Sequence, residues 1–103
     1  MSLKNLKIRI KKNEGFSLTP YKDQLGFYTI GYGHLIKKNE SKYFNFKYNK
    51  KHFENIFEKD FDKALKQYKL LFYDKKFKTK EKELLVEMIF QLGASGVLKL
   101  KEC

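Results

Sequence analysis

The chain has 103 residues, with 23 Lys or Arg against 12 Asp or Glu, a net charge of +11, and 42% hydrophobic residues that include 10 Phe and 7 Tyr. That length holds one domain at most, and the apolar content excludes a disordered chain. The charge favours a polyanionic partner (nucleic acid, anionic lipid or bacterial wall polymer) unless AT-rich codons alone have filled the surface with Lys and Phe.

A single cysteine, Cys103, can form no internal disulfide, which suits synthesis in a reducing cytosol. The opening Met1-Ser2-Leu3-Lys4 runs into alternating Lys and Ile instead of an uninterrupted apolar run. No export signal is read there, and no stretch approaches the ~18 apolar residues of a membrane span. Residues 3–13 fit a helix through Leu3, Leu6 and Ile10, although Ile8 and Ile10 also alternate as in a strand; Gly15, placed to stop a helix, decides for the helix. From Phe16 to Ile36, alternating apolar residues, a "KDQLG" turn and the β-branched, aromatic "FYTIGY" predict a hairpin or small meander. Residues 37–48 show no period and read as loop or irregular strand.

Residues 49–72 predict a long helix. Phe53, Ile56, Phe57, Phe61, Ala64, Leu65, Tyr68 and Leu71 recur at three- and four-residue steps, with Asn49 as N-cap. At ~1.5 Å per residue it would run about 35 Å, enough to bridge two lobes. Residues 79–92 predict a second helix, capped by Thr79, so apolar that it expects neighbours on nearly every side.

The chemistry is concentrated in residues 13–35, "NEGFSLTPYKDQLGFYTIGYGHL". Glycoside hydrolysis needs one carboxyl to protonate the leaving oxygen and a second to activate water or hold developing positive charge. Glu14 sits at a helix end, where the negative end of the helix dipole and some burial favour its protonated form. Asp23 lies in the turn, where solvent and backbone N–H groups keep a carboxylate ionised. Thr29, on the returning strand, can bring its hydroxyl to a water held by Asp23. Gly31 and Gly33 make no phosphate loop, because the third glycine and the strand-to-helix crossover are missing; they allow tight turns. His34 and His52 have no partners at metal-ligand spacing, so neither metal nor cofactor is expected. The lysines are scattered and no helix-turn-helix or aromatic RNA-binding pattern is present, so charge alone implies only sequence-blind nucleic-acid binding.

Glu14, Asp23 and Thr29, followed at once by "IGYGHL", resemble the catalytic segment of the phage-type lysozymes, the endolysin muramidases of glycoside hydrolase family 24. "NKKHFENIFEKDFDKAL" resembles the start of that family's inter-lobe helix, and "EMIFQLGASGV" the helix end lining the cleft in its second lobe. The resemblance implies an α+β lysozyme-like domain over 1–103. Within it, 1–48 would form the N-terminal helix and small β lobe, 49–72 the inter-lobe helix, and 73–103 the start of a helical lobe. It implies hydrolysis of the β-1,4 bond between N-acetylmuramic acid and N-acetylglucosamine in peptidoglycan. Glu14 would be the proton donor, Asp23 the second carboxylate and Thr29 the water-positioning hydroxyl. Leu35, Phe90 and Gln91 would contact the glycan. His34 is expected to be structural, paired with Asp60 of the long helix.

The resemblance also implies synthesis in a host cytoplasm and release to the wall through a membrane hole made by a partner, without stable membrane insertion. Family members continue with further helices where this sequence ends at "LKLKEC", so helix 79–92 is expected to present an apolar surface open to self-association. The other reading is a non-catalytic cationic wall-binding or antimicrobial fragment acting through its charge.

Overall fold

The computed structural model describes residues 2–102, side chains included as far as residue 92. Helix α1 (Leu3–Glu14) buries Leu6 and Ile10, four residues apart, and leaves Ile8 56% exposed. A strand would have put all three on one face, so this burial decides the ambiguous segment for the helix. Gly15, at φ +74°, takes the left-handed conformation that ends it, its N–H bonded to the Lys11 carbonyl at 3.0 Å.

Strands β1 (Ser17–Lys22), β2 (Tyr28–Gly31) and β3 (His34–Leu35) form an antiparallel meander in the order β1-β2-β3. Tyr21 faces Thr29 across β1 and β2, Thr29 faces Leu35 across β2 and β3, and the register slips between Ser17 and Tyr21. Pro20 is tolerated because β1 is an edge strand. The segment expected as loop or irregular strand is instead helical: a 3-10 turn at Lys38–Glu40 leads into the single-turn α2 (Lys42–Asn45).

Helix α3 (Lys50–Leu71) covers the long predicted helix, and the Asn49 side-chain oxygen accepts the His52 N–H at 2.9 Å, as an N-cap does. Helix α4 (Thr79–Glu102) starts one residue earlier than Thr79's expected capping role allows and runs ten residues further than expected. Thr79 is its first helical residue. Lys78 precedes it, accepting the Lys82 N–H on its carbonyl and donating its own N–H to the Glu81 carboxylate at 3.0 Å.

The chain divides into two units, Met1–Ile10 with Asp60–Cys103, and Lys11–Lys59. The first buries Leu6, Ile10, Phe61, Ala64, Tyr68, Phe72, Val86 and Ile89. On α4 the buried face is narrower than its composition led us to expect, with Leu84 57% and Leu92 50% exposed. Arg9 reaches Glu87 at 2.9 Å and Glu83 at 4.0 Å, a surface pairing of small energetic weight.

The second unit is built on aromatic rings. Ile30, Tyr43 and Phe53 form its buried cluster, with Ile36 and Tyr48 packed against it. Tyr48 stacks on His52 at 4.5 Å, and the Tyr43 hydroxyl lies 2.8 Å from His52 Nε2. Ten Phe and seven Tyr in so short a chain thus have a structural use: large rings fill a core that few residues can reach. No helix among the described residues is long and apolar enough to cross a membrane.

Candidate active site

All three residues of the expected acid–base set lie in the unit Lys11–Lys59. Glu14 is the last residue of α1 and is partly buried. The backbone of Gly33 passes directly against its carboxyl: a β-carbon built there would lie 2.9 Å from Glu14 Cδ and overlap an oxygen. A methyl there would push the Glu14 carboxyl aside, and φ +73° at this position asks for glycine independently.

Asp23 opens the turn between β1 and β2. Its Oδ1 accepts the N–H groups of Leu25 and Phe27, each at 2.9 Å, and its own N–H donates to the Phe27 carbonyl at 2.9 Å. The carboxylate is therefore anchored by two backbone donors, an Asx turn of the kind that orients an acidic side chain. Thr29 is buried, and its hydroxyl donates to the same Phe27 carbonyl at 3.2 Å. Asp23 and Thr29 are thus tied to one peptide unit, and the hydroxyl oxygen retains its acceptor capacity.

Tyr21, which sequence reasoning overlooked, links the set. It faces Thr29 in the register, and both Glu14 and Asp23 act on its phenol. Burial first, then the charges of Glu14 and Asp23, push that phenol above its ordinary 10.0. Tyr21 therefore stays protonated well above neutral pH. Its position two residues before Asp23 on an alternating strand was the available signal.

Lys11, Glu54 and Tyr32 were also missed. Lys11 Nζ reaches Glu54 Oε2 at 2.5 Å, and the Tyr32 hydroxyl donates to Glu54 Oε1 at 2.7 Å. The Lys11 ammonium also lies over the rings of Tyr32 and Phe57, at 5.1 and 4.9 Å. Hydrogen bonds from Lys11 and then Tyr32 hold the Glu54 carboxyl below its usual value, while burial and then Glu54 push Tyr32 up to about 12.

His34 is buried on β3, and its Nε2 stands 3.1 Å from both oxygens of Glu40. Glu40 also accepts the Lys37 N–H at 3.1 Å. It comes from the segment that sequence reasoning left without helical structure, so this partner was not foreseen. Asp60, the partner expected from sequence, lies on α3 in the other unit. Leu35 is half-exposed and borders an open groove with Phe27, Tyr28, Lys37, Lys38 and Phe44. Phe90, partly buried, and Gln91, exposed, lie on α4 in the other unit. Among the described residues no three His, Cys, Asp or Glu side chains group so as to hold a metal ion.

The two anchored carboxylates give this unit an acid-labile stability. Burial raises the Glu40 carboxyl, but the Lys37 N–H and then His34 bring it below the ordinary 4.5, and Glu54 is likewise lowered. Groups whose folded value is depressed contribute stability that is present above the unfolded value and lost as pH falls through the folded one. The melting temperature should therefore drop as the pH passes below 4.5. Thermal melts across pH should show Glu40→Gln with a lower melting temperature at neutral pH and a flatter acid branch; an acid branch as steep as that of the parent would contradict the assignment.

The Phage lysozyme family model matches residues 11–101. Two proteins of Dictyostelium discoideum are similar over nearly the whole chain. "Probable T4-type lysozyme 2" is 35% identical over 121 aligned positions, covering 95% of this chain and 71% of that protein. "Probable T4-type lysozyme 1" is 31% identical over 120 positions, covering 94% and 71%.

Proposed function

Since the chain belongs to the phage lysozyme family and is a lysozyme-type enzyme acting on peptidoglycan, we propose that it cleaves the β-1,4 bond between N-acetylmuramic acid and N-acetylglucosamine, with Glu14 as proton donor and Asp23 as the second carboxylate. What supports this reading above all is the meander itself: the Gly33 backbone lies against the Glu14 carboxyl, while Asp23 and Thr29 are both tied to the Phe27 carbonyl.

The chemistry follows from the surroundings of each group. Glu14 ends a helix with its carboxyl against the Gly33 backbone, and in this reading it supplies the proton to the leaving oxygen. Asp23 is oriented by the Leu25 and Phe27 N–H groups, placed to polarise a water or to face the positive charge that develops on the sugar. Thr29, fixed by Phe27, offers its oxygen to that same water. Leu35, Phe90 and Gln91 are assigned to glycan contact, and His34 to support of the wall that carries Leu35. The bare charge of +11 is then an aid to capture of an anionic polymer.

The direct test is clearing of a suspension of purified bacterial walls by the chain. Clearing that disappears after heat inactivation is the expected result. Clearing that survives boiling would favour the cationic, non-catalytic reading.

A further inference from the structure

We propose that Glu54 is a positioning residue for the general acid: it holds the Lys11 ammonium away from Glu14 and so preserves a protonatable carboxyl at the end of α1. The inference rests on the assignment of Glu14 as proton donor.

Lys11 and Glu14 are three residues apart on one helix, a spacing that makes side chains neighbours. A lysine in that place is a hazard to an acid catalyst. A cation close to a carboxyl favours the ionised form, whereas a proton donor must hold its proton at working pH. In this fold the ammonium is directed elsewhere. It meets Glu54 Oε2 of α3 at 2.5 Å and lies over the rings of Tyr32 and Phe57, themselves edge-to-face with centroids 5.6 Å apart. The second Glu54 oxygen is taken by the Tyr32 hydroxyl at 2.7 Å. Both oxygens of Glu54 are thereby committed, and its negative charge compensates Lys11 as seen from Glu14.

The clamp has a mechanical side as well. Tyr32 stands between Gly31 and Gly33, whose φ angles of +65° and +73° shape the turn from β2 to β3. Gly33 is the residue whose backbone lies against the Glu14 carboxyl. Fixing the Tyr32 hydroxyl on α3 therefore fixes the wall against which the acid rests. The elements of this unit carry further ionisable groups: Tyr21 and Lys22 on β1, Asp23 in its turn, Tyr28 on β2, His34 on β3, and Lys50, Lys51 and His52 at the start of α3. Lys12 of its own helix is two residues from Glu14 and projects away from it.

The experiment is a carbon-13 NMR titration of the Glu14 carboxyl in the full chain, with the resonance assigned by its loss in Glu14→Gln. Glu54→Gln uncovers the Lys11 charge and should lower the Glu14 midpoint by about one pH unit. Lys11→Met leaves the Glu54 charge uncompensated and should raise it. The double variant should return close to the parent value, which a merely structural role would not produce. The alkaline limb of the pH–rate profile for wall hydrolysis should move in the same directions, with KM little changed. A midpoint unmoved in a folded Glu54→Gln, or single variants that shift in the same direction, overturns the proposal. Should Glu54→Gln not fold, Lys11→Met decides: a midpoint that fails to rise overturns it too. Retained hydrolysis in Glu14→Gln would instead overturn the assignment of the acid, whatever the titration gives.

Discussion

Glu14→Gln is expected to reduce the rate of wall hydrolysis at least ~100-fold while leaving the fold intact, because a general acid contributes about 10²–10⁴ to rate. Gln occupies nearly the same volume and keeps the polar contacts of the carboxyl, but it has no proton to donate to a glycosidic oxygen. Stability should hold or rise slightly. Glu14 is the last residue of α1, where a negative charge opposes the helix dipole, and removing such a charge is worth roughly 0.3–1 kcal/mol. Initial rates and thermal melts on the same preparation separate the two effects. A variant that melts like the parent and still cleaves the wall at the parent rate would remove Glu14 from the mechanism.

Gly33→Ala should damage stability and rate together. An alanine at φ +73° is strained by about 1–3 kcal/mol. Its methyl group must also displace the Glu14 carboxyl, since the β-carbon would stand 2.9 Å from Cδ. Misplacement of a catalytic group by about 1 Å is enough to lose ~100-fold in rate. Gly26→Ala provides the contrast. Its φ is +88°, so the backbone strain is similar, but nothing lies within 4 Å of the added methyl. Gly26→Ala should lower the melting temperature and leave kcat near the parent value, whereas Gly33→Ala should lower both. Equal rates in the two variants would mean that the approach of Gly33 to Glu14 has no catalytic consequence.

Much of this architecture was legible from local sequence because local physics decides it. The three- and four-residue spacing of Phe53, Phe57, Phe61, Ala64 and Tyr68 is the buried face of α3, and Asn49 caps it as its side chain predicts. The alternation in 16–36 and the glycines at 26, 31 and 33 marked the meander, and their positive φ angles show why those turns need glycine. The roles given to Glu14, Asp23 and Thr29 came from the resemblance to the phage-type lysozymes, since a helix-end glutamate and two polar residues on a meander do not by themselves name a chemistry.

Other features were hidden for identifiable reasons. A 3-10 turn followed by one helical turn, at 38–45, is too short to display a period. Helix α4 runs on past residue 92, where the apolar run that predicted it thins out, through Gly93 and Gly96, each of which costs only about 1 kcal/mol inside a helix. Thr79 looked like the cap because its hydroxyl suits the role; Glu81, reaching back to the Lys78 N–H, supplies the bond instead. The Lys11–Glu54–Tyr32 clamp joins residues 43 and 22 positions apart in sequence. Nothing in one sequence announces such a pairing, although Lys11 at three residues from Glu14 was a visible electrostatic problem in need of an answer.

The measurement that bears most directly on the mechanism is chemical analysis of the ends released from purified peptidoglycan. Digestion by the chain should generate new N-acetylmuramic acid reducing ends in proportion to the fall in turbidity, and Glu14→Gln should generate almost none. A fall in turbidity without new reducing ends, or their undiminished appearance with Glu14→Gln, would contradict acid catalysis from the end of α1.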